Sequence, residues 1–539
     1  MTRNYLSILA ETIRTNWDQP ALTDFYLTED GTAQDTSRGN HYTYGEMYAE
    51  ICRVAELLTS LGLQKGDHIA ICGTNSAHWV VAYLAIAKMQ GVSVTVMHSL
   101  MPDEIARLVD FSDAKALFTD EDLWEELKSL PLPQVENIIS LENFESLASG
   151  TSIIASSVSS VSSASSETSA SSPSIVGFPQ SAPDDLAQIC FTSGTSGNAK
   201  GVMLSCENLT ANIKFMINDL PDFKNQRTMS ILPMAHIYGI YNEVLRALCH
   251  GTYIHICHRI DIQALFVSYK IIRPYIAVLV PALVEELISR SVGEDANALY
   301  QSLNAMFGGK INEFTIGGGA LSAETEERLI KNGIPFCVGY GMTECGPIIS
   351  VSSTLRKFHK MRSAGKVVPT LAARISSAGE ILVKGENVML GYYKDPEATA
   401  RKIDSDGWLH TGDKGHLDED GYLYVEGRLE QDIIVLPNGE NIHPEDIECK
   451  INALPEVSES IVLARDGRLV AIVVPSSESS ESSETSETRA SSPSTSLRRH
   501  ILRNVNPLLP LYSQLYDVEI TDTPLAKTEK QTIKRYLYK

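Results

Sequence analysis

Short apolar runs alternate with longer amphipathic segments over the first part of the chain. Apolar runs occur at 69–72, 93–97 and 116–118, and segments with a helical hydrophobic period cover 43–61 and 79–90. Short apolar runs between turn residues predict strands, whereas recurrence every three to four residues predicts helices. Strands that alternate with helices are typical of an α/β architecture with a mostly parallel sheet, so we predict that fold class.

Two segments break this pattern because serine dominates them. They cover about 149–174 and 476–496 and add scattered Glu, Thr and Ala. Such compositions bury too little apolar surface to offset chain entropy, so we predict disordered inserts on loops. Regulation through serine phosphorylation is an open alternative for both segments.

The chain of 539 residues is longer than a single growing core supports, so at least two domains are expected. A turn-rich stretch at 418–428 is followed by a new set of strand and helix patterns. We predict an N-terminal domain at 1–428 and a smaller, mobile domain at 429–539.

Composition narrows the classes of partner. The formal net charge is −22, which disfavours nucleic acid and anionic lipid as general partners. The nine cysteines form no Cys-x-x-Cys pair, which is typical of reduced thiols, and we predict a cytoplasmic protein. We see no secretory signal and no apolar stretch of membrane-spanning length, and a transient contact with a membrane surface stays open.

A cluster of His255, Cys257 and His258 could be mistaken for a metal site. It lies in a probable strand region, and the sequence offers no second ligand pair nearby. We interpret these three as ordinary strand residues.

The glycine-rich loop at 191–201 carries the first candidate chemistry. Its glycines permit positive φ angles and close backbone approach, its hydroxyls can donate hydrogen bonds, and Lys200 adds a positive charge. The spacing is not that of a Walker P-loop, because Lys200 is followed by glycine rather than Ser or Thr. Apolar flanks on both sides argue against a flexible linker. We predict a polyphosphate site formed by Thr192, Ser193, Gly194, Thr195, Ser196, Gly197 and Lys200.

Two further glycine-containing segments carry groups that a nucleotide site needs. In the segment 339–344, Tyr340 could stack on a purine, Thr343 could bond a phosphate and Glu344 could hold Mg²⁺. In the segment 315–320, glycines after a short strand would let a flat ring lie against the backbone, although a tight turn explains them equally well. The remaining candidates in these segments are Gly318, Gly319, Ala320, Gly339, Gly341 and Met342.

Asp413 and Arg428 are a candidate pair for the ribose. Asp413 offers two acceptors for two hydroxyl groups, and Arg428 follows it by fifteen residues. If the intervening residues form a hairpin, both side chains reach the same sugar. Either residue alone would be read as a surface charge.

Taken in order along the chain, these segments resemble those of the adenylate-forming enzymes, a superfamily of acyl-CoA synthetases, luciferases and nonribosomal adenylation domains. The resemblance extends from Tyr42 to Arg535 apart from the serine segments. The phrases at 200–205, 391–396 and 437–444 look most like bacterial long-chain fatty acyl-CoA synthetases. It implies a large α/β domain with mixed sheets and a small mobile α+β domain, with ATP, Mg²⁺ and coenzyme A as ligands.

The activity that the resemblance implies has two steps. A carboxylate attacks the α-phosphate of ATP to give acyl-AMP and pyrophosphate, and a thiol then takes the acyl group. Lys200 and Glu344 would act at the polyphosphate, with Mg²⁺ held by Glu344 and Thr192. The hinge between the domains would lie at Glu430, where the family more often has Asp or Lys.

The C-terminal motif departs from the family pattern. Thr532 stands where the family carries an essential lysine, and Lys530 and Lys534 lie two residues to either side. In an extended segment these lysines share a face with Thr532, so they could replace the missing charge. We expect a slowed or rescued adenylation in preference to a lost one.

The resemblance also implies a location for the acid. His236, Tyr238 and Gly239 match the region that lines the acyl pocket, and the sequence there has no aspartate to hold a substrate ammonium. The apolar run at 237–248 suits a fatty acid, although it could equally be a core helix. The alternatives left open are a ligase that delivers to an acyl-carrier-protein thiol and a nucleotide-binding protein with reduced adenylation.

Overall fold

The computed structural model of the chain gives the positions of most residues. It describes residues 4–147, 176–192, 199–258, 260–291, 296–319, 321–429, 434–437, 440–476, 493–526, 533 and 535–538.

The strands are short, as expected where helices intervene. They are β1 Pro20–Phe25, β2 His41–Thr43, β3 His68–Cys72, β4 Val92–Thr95, β5 Ala116–Thr119, β6 Asn137–Ser140, β7 Leu186–Thr192, β8 Lys200–Ser205, β9 Arg227–Ser230, β10 Tyr253–Cys257, β11 Ile276–Leu279, β12 Glu313–Ile316, β13 Phe336–Gly341, β14 Ile348–Ser353, β15 Gly365–Val367, β16 Leu371–Ile375, β17 Glu380–Gly385, β18 Gly391–Tyr392, β19 Leu409–Leu417, β20 Tyr422–Arg428, β21 Ile434–Val435, β22 Asn441–Ile442, β23 Val457–Arg465, β24 Arg468–Pro475 and β25 Asp517–Ile520.

The α-helices lie mainly between these strands. They are α1 Tyr5–Thr15, α2 Tyr44–Ser60, α3 Ala77–Lys88, α4 Pro102–Phe111, α5 Glu121–Leu127, α6 Cys206–Asn218, α7 Ile237–Gly239, α8 Arg246–His250, α9 Ile262–Ile272, α10 Pro281–Ser289, α11 Ala296–Met306, α12 Ala323–Lys331, α13 Pro396–Lys402, α14 Pro444–Asn452 and α15 Pro493–Val505.

Two large sheets organise the N-terminal part. One has the strand order β16-β17-β19-β20-β15-β14-β13-β12-β11-β9-β10-β1-β2, and the other has the order β18-β8-β7-β4-β3-β5-β6. Strands β4, β3, β5 and β6 run parallel, whereas β7 and β8 are antiparallel neighbours. Both sheets are therefore mixed, as the resemblance implies. Among the described strands, four of the six pairs of the smaller sheet are parallel, which confirms the mostly parallel sheet predicted from the apolar runs of β3, β4 and β5.

The main core lies between these two sheets. Alternate residues of the strands face it, such as Ile69 and Ile71 of β3, while Ala70 and Cys72 face a second core on the outer side of the smaller sheet. This period of two is what a strand buried on both faces requires. Helices α2 and α3 fill the space between the sheets, and a capping box formed by Thr43 and Glu46 fixes where α2 begins.

The C-terminal part has its own small core. Strands β23, β24 and β25 form a three-stranded sheet that packs with α14 and α15, and β21 and β22 form a separate hairpin. The fold is a large N-terminal α/β domain followed by a smaller C-terminal domain, as predicted. The boundary at 428 and 429 and the mobility of the smaller domain stay predictions.

Several local predictions are confirmed. The apolar run at 69–72 lies in β3, and the helical segments at 43–61 and 79–90 correspond to α2 and α3 within a few residues. His255 and Cys257 lie in β10, as interpreted from sequence, and His258 directly follows that strand, with Nε2 3.1 Å from Oδ1 of Asp24. The first serine segment lies outside the described residues, as does most of the second. Residues 493–496 of the second segment form the start of α15, which corrects the prediction of disorder for them. Among the helices that the structure describes, none is long and apolar enough to cross a membrane.

The helical segment at 237–250, which we call the Tyr238 helix, is irregular. It starts as α7, continues as a π-helical turn at Ile240–Leu245 and ends as α8. A π turn holds one residue more than an α turn, and such turns are frequent at functional sites. This helix lies on the face of the larger sheet that points into the main core.

Candidate active site

The hairpin of β7 and β8 holds the predicted phosphate loop. Thr192 and Lys200 are direct neighbours across it, so the loop between them is closed at its base by paired strands. Strand β18 continues the sheet beside β8 and places the ring of Tyr392 5.0 Å from Nζ of Lys200. The loop tip, with Ser193, Gly194, Thr195, Ser196 and Gly197, lies outside the described residues, so its predicted contacts stay predictions.

Tyr392 also connects this hairpin to Glu344. Its hydroxyl donates a hydrogen bond of 2.7 Å to Oε1 of Glu344, which sits in a 3₁₀ turn at Thr343–Cys345 and is 8% exposed. Burial and the neighbouring carboxylate raise the pKa of Tyr392, so its proton stays on the phenol. The described residues give Oε2 of Glu344 no hydrogen-bond partner, which leaves that oxygen available to a ligand.

Buried asparagines fix these segments relative to each other. Asn212 of α6 donates to the carbonyl of Cys345 at 3.2 Å and accepts from the N–H of Ile348 at 3.0 Å. Asn208, one helical turn earlier, donates to the main chain on both sides of Asn387, and Asn387 donates to Oδ1 of Asn212 at 3.2 Å. Because each amide is used on both ends, the loop that carries Glu344 is held rigidly against α6.

The predicted ribose site is formed by adjacent strands. Asp413 of β19 and Arg428 of β20 are direct partners in an antiparallel hairpin, which confirms the hairpin that the sequence argument required. The hydroxyl of Tyr340 donates to Oδ2 of Asp413 at 2.6 Å, and burial together with that carboxylate raises the pKa of Tyr340. The side chain of Arg428 lies outside the described part, so its contact with the sugar stays a prediction.

The glycines lie where strands β12 and β13 end. The two strands are parallel with Ile316 beside Val338, which sets Gly318 and Gly319 next to the segment from Gly339 to Met342. Gly341 permits a close approach, since a Cβ there would lie 1.9 Å from the carbonyl oxygen of Pro347. That oxygen accepts a hydrogen bond from the N–H of Met342 at 2.9 Å, so the strand turns directly into the loop that carries Thr343 and Glu344.

The predicted acyl residues begin the Tyr238 helix. Nδ1 of His236 accepts a hydrogen bond from the N–H of Tyr238 at 3.2 Å, which caps the helix. Gly239 packs against the preceding main chain, because a Cβ there would lie 2.3 Å from the carbonyl oxygen of Pro233. The ring of Tyr238 lies over Gly317. This ring therefore lies directly beside the three glycines at 317–319, which we call the glycine strip.

The C-terminal hairpin reaches this glycine strip. A Cβ placed on Gly319 would lie 3.6 Å from Cγ of Pro281 and 3.9 Å from Cγ1 of Val435 in β21. The strip is therefore covered from two sides, by the start of α10 and by the hairpin. Ala320, Glu430, Lys530, Thr532 and Lys534 lie outside the described residues, and their predicted roles stay predictions.

Sequence reasoning missed the residues that connect the site. In the sequence, Tyr392 is only part of a family phrase, and its position there predicts no role. Asn208 and Asn212 belong to none of the predicted motifs, although two asparagines four residues apart on the helix after the phosphate loop share one face. Their partners are main-chain atoms far away in sequence, so only the folded chain reveals what they hold.

Together these residues form a candidate site for an anionic nucleotide. A single lysine, a buried carboxylate with one unused oxygen and a tyrosine–aspartate pair lie along the carboxyl-terminal ends of β7, β13 and the β19–β20 hairpin. No cluster of three or more His, Cys, Asp or Glu that could hold a metal ion occurs within the described ranges. Mg²⁺ needs no such cluster, because it is usually bound by one or two carboxylates together with substrate phosphates.

Two families of sequence match the chain. The AMP-binding enzyme family matches residues 9–393, and the AMP-binding enzyme C-terminal domain matches residues 431–538. The two matches together span the predicted nucleotide site and the C-terminal hairpin.

Curated relatives and solved structures match at low identity over most of the chain. The 4-coumarate–CoA ligase 3 of Arabidopsis thaliana is 29% identical, covering 81% of this chain and 77% of the relative. The indoleacetate–CoA ligase of Aromatoleum aromaticum is 28% identical, covering 80% and 83%. The o-succinylbenzoate CoA synthetase of Bacillus subtilis, bound with a product analogue, has a TM-score of 0.72 at 22% identity, covering 99% and 98%. At that identity the structural likeness concerns the fold.

Proposed function

The chain belongs to the AMP-binding enzyme family, and from that premise we propose that it joins a carboxylic acid to the thiol of coenzyme A in two ATP-dependent steps. The observation that carries the proposal is the connected set of Thr192, Lys200, Tyr392 and Glu344 beside the Tyr340–Asp413 pair. This set supplies charge and acceptors for a nucleoside triphosphate. The curated relatives named as CoA ligases support coenzyme A as the acceptor.

In the first step an oxygen of the carboxylate attacks the α-phosphorus of ATP. A new oxygen–phosphorus bond forms, the bond to the β-phosphate bridge breaks, and pyrophosphate leaves with the bonding electrons. The nucleophile is already an anion, so the step needs charge neutralisation more than it needs a base. Lys200 is placed to supply part of that charge, since it extends from the base of the phosphate loop.

Glu344 and Thr192 fit a magnesium ion bound beside the polyphosphate. Oε1 of Glu344 is oriented by Tyr392 and Oε2 is without a partner among the described residues, which suits a hard oxygen ligand. When bound, Mg²⁺ neutralises phosphate charge. The chain's own contribution is to hold the carboxylate of Glu344 and the hydroxyl of Thr192 near the loop.

The ribose would be held by Asp413 with Arg428 beside it. Tyr340 fixes one oxygen of Asp413 and so orients its carboxylate. The purine would lie beside Tyr340 along the main chain of the glycines 317–319, and the acid would lie on the side of these glycines that faces Tyr238. These contacts extend the geometry of the described residues to a ligand and are part of the proposal.

In the second step the sulfur of coenzyme A attacks the acyl carbon. The bond from that carbon to the AMP oxygen breaks, AMP leaves, and the thiol proton passes to solvent. Val435 lies at the glycine strip, which supports the idea that the C-terminal hairpin forms one wall of the thiol path. Rotation at Glu430 and a domain boundary at 428 and 429 belong to this proposal.

The finer identity of the acid rests on separate observations. The family phrases favour a fatty acid, whereas the names of the relatives include 4-coumarate and indoleacetate, which are aromatic acids. A cytoplasmic location belongs to the proposal as the sequence predicts it, and a carrier-protein thiol is the alternative acceptor.

The direct test is trapping of acyl-AMP with hydroxylamine in the presence of ATP and Mg²⁺, across acids of two to eighteen carbons and aromatic acids. Acyl hydroxamate that depends on ATP, together with thioester formation on coenzyme A, supports the proposal. Thioester formation only on a phosphopantetheinylated carrier protein would move the chain to the carrier-ligase alternative. Binding of ATP without any turnover would favour the nucleotide-binding alternative.

The role of the C-terminal motif needs a separate assay. Pyrophosphate exchange is measured for the wild type, Thr532→Lys, Lys530→Ala and Lys534→Ala. If a flanking lysine replaces the missing charge, one alanine variant loses most of the exchange and Thr532→Lys gains. If neither alanine variant lowers the rate, rescue by these lysines is wrong.

A further inference from the structure

Buried polar side chains lie between the Tyr238 helix and the larger sheet, in a region that we call the slot. Glu243 and Arg246 project from the helix, and Glu313 and Thr315 project from β12 toward it; all four are almost completely buried. Cys337, beside Thr315 on β13, belongs to the main core on the same face. The run at 237–248 therefore does not form the apolar wall that its composition suggested.

Tyr238 lies at the end of this slot that is next to the glycine strip, which we call its upper end. Its hydroxyl lies 3.3 Å from the carbonyl oxygens of both Leu279 and Thr315 and can donate to either. A Cβ on Gly317 would lie 2.8 Å from Cε2 and Cζ of the ring. The ring thus fills the space directly below the glycine strip, and both neighbouring strand ends hold it in place.

Below Tyr238, some buried polar groups have hydrogen-bond partners and others have none. Glu243 accepts hydrogen bonds from Oγ of Ser230 at 2.8 Å and from the next two main-chain N–H groups. Arg246 donates to the carbonyl of Pro221 at 3.3 Å, but its Nε and Nη1 have no partner, and neither do the two carboxylate oxygens of Glu313. Within the described residues, no carboxylate lies within salt-bridge distance of Arg246.

These unsatisfied groups make the lower slot unsuitable for a hydrocarbon tail. Buried polar atoms without protein partners need water, and an apolar chain would remove that water and offer no hydrogen bonds in return. Burial raises the pKa of Glu243 to about 8 and that of Glu313 to about 7, which reflects the same poorly solvated surroundings. A long acyl chain in this slot would face both carboxyl groups and Arg246.

Above Tyr238 the surroundings are apolar and flat. A Cβ on Gly318 would lie 3.7 Å from Cγ1 of Val280, and the neighbouring position is flanked by Pro281 and Val435. The glycine strip with valine and proline beside it offers an apolar surface for a planar ring or a few methylene groups, and we call this surface the acyl bay. The acid would lie here beside the predicted adenylate.

We propose that the acyl bay ends at Tyr238, and that the substrates are therefore compact acids, with one aromatic ring or a short chain, while long-chain fatty acids are excluded. This inference rests on the proposed function, because it assumes that an acid is activated beside the glycine strip. It narrows that function to a substrate class by naming Tyr238 as the residue that sets the depth of the bay.

The test is the acid dependence of hydroxamate formation by the full chain. We expect kcat/KM for a cinnamate-type acid or hexanoate to exceed that for hexadecanoate by at least about 100-fold, since a single misplaced group in a binding pocket already gives about 10- to 200-fold. Tyr238→Ala should improve octanoate and decanoate by about 10-fold relative to the compact acid. Tyr238→Phe keeps the ring and loses the hydroxyl, so it should keep the wild-type chain-length profile whatever its absolute rate.

Two outcomes overturn the inference. Hexadecanoate used as well as the best compact acid would show that the bay does not end at Tyr238. An unchanged profile in Tyr238→Ala, with pyrophosphate exchange on compact acids retained, would show that the ring does not set the depth.

A binding measurement separates this inference from the proposed function. Calorimetric titration of the same acids is carried out with a non-hydrolysable ATP analogue present. Tighter binding of the compact acids supports the inference even if every turnover assay is negative, a result that would count against the proposed function alone. Tighter binding of hexadecanoate would overturn the inference irrespective of turnover.

Discussion

The proposed nucleotide end and the proposed acyl end of the site differ in how their buried polar groups are hydrogen-bonded. Around Glu344, the buried amides of Asn208, Asn212 and Asn387 are matched by partners on both their donor and acceptor sides. Around Glu313, several buried polar atoms have no partner among the described residues. A fully matched network tolerates little change, whereas an unmatched cluster depends on water and can be altered residue by residue. We infer that the first region positions Glu344 and that the second is unsuited to a long acyl chain.

The largest effect should follow a change at the nucleotide end. Lys200→Ala should lower kcat/KM for adenylation by about 10²- to 10³-fold, because one positioned donor to developing charge is removed. Lys394→Ala is the matched control: it lies two residues beyond Tyr392, but its ammonium is paired with Asp113 at 2.7 Å. The control should stay within about twofold, as expected for an exposed ion pair. Equal losses in both variants would contradict the assignment of Lys200.

A change in the supporting network should affect stability and rate together. Asn212→Ala leaves the N–H of Ile348 and the carbonyl of Cys345 without partners, and it should lower the free energy of unfolding by about 2–4 kcal/mol. Denaturant titration measures the stability, and pyrophosphate exchange at a temperature where the variant is folded measures the rate. A folded variant with full exchange activity would show that Asn212 does not position the Glu344 loop.

The contribution of Glu313 to the free energy of unfolding should depend on pH. Glu313 has a pKa of about 7 in the folded chain because burial disfavours its charged form, whereas its ordinary value is 4.5. The stability that it contributes is therefore fully present below pH 4.5 and is lost as the pH rises through 7. Glu313→Gln should remove this loss, so that relative to the wild type it gains about 1–3 kcal/mol between pH 5 and pH 8.5. Parallel unfolding profiles for the two proteins would contradict this account.

The smallest effect should come from the ribose contact. Tyr340→Phe removes the hydrogen bond to Asp413 while keeping the ring, and a bond of this kind contributes about 1–2 kcal/mol. We expect KM for ATP to rise by about 5- to 20-fold with kcat changed much less. An effect confined to kcat would indicate that Tyr340 acts on the reacting phosphate and not on nucleotide binding.

The hairpins of the proposed nucleotide end could be predicted from sequence, whereas the buried surroundings of the Tyr238 helix could not. Glycines, Lys200 and Glu344 lie in short segments whose spacing carries their chemistry, and the pairing of Asp413 with Arg428 followed from a local hairpin. The slot depends instead on which sheet face lies opposite the Tyr238 helix. Periodicity within one segment does not show which sheet face lies opposite that segment. The pattern of the mostly apolar run therefore does not predict that Glu243 and Arg246 are buried against the sheet.

The π turn at Ile240–Leu245 gives the acyl end an unusual evolutionary freedom. It separates Tyr238 from Arg246 by one residue more than regular α-helical turns would need. Deleting a single residue there would restore the α-helix, and the residues before and after the turn would keep their orientation, so Tyr238 and Arg246 would still face the sheet. A deletion elsewhere in the helix would instead rotate every later residue by about 100° about the helix axis. The helix can therefore lose one residue at the π turn without changing which side chains face the sheet.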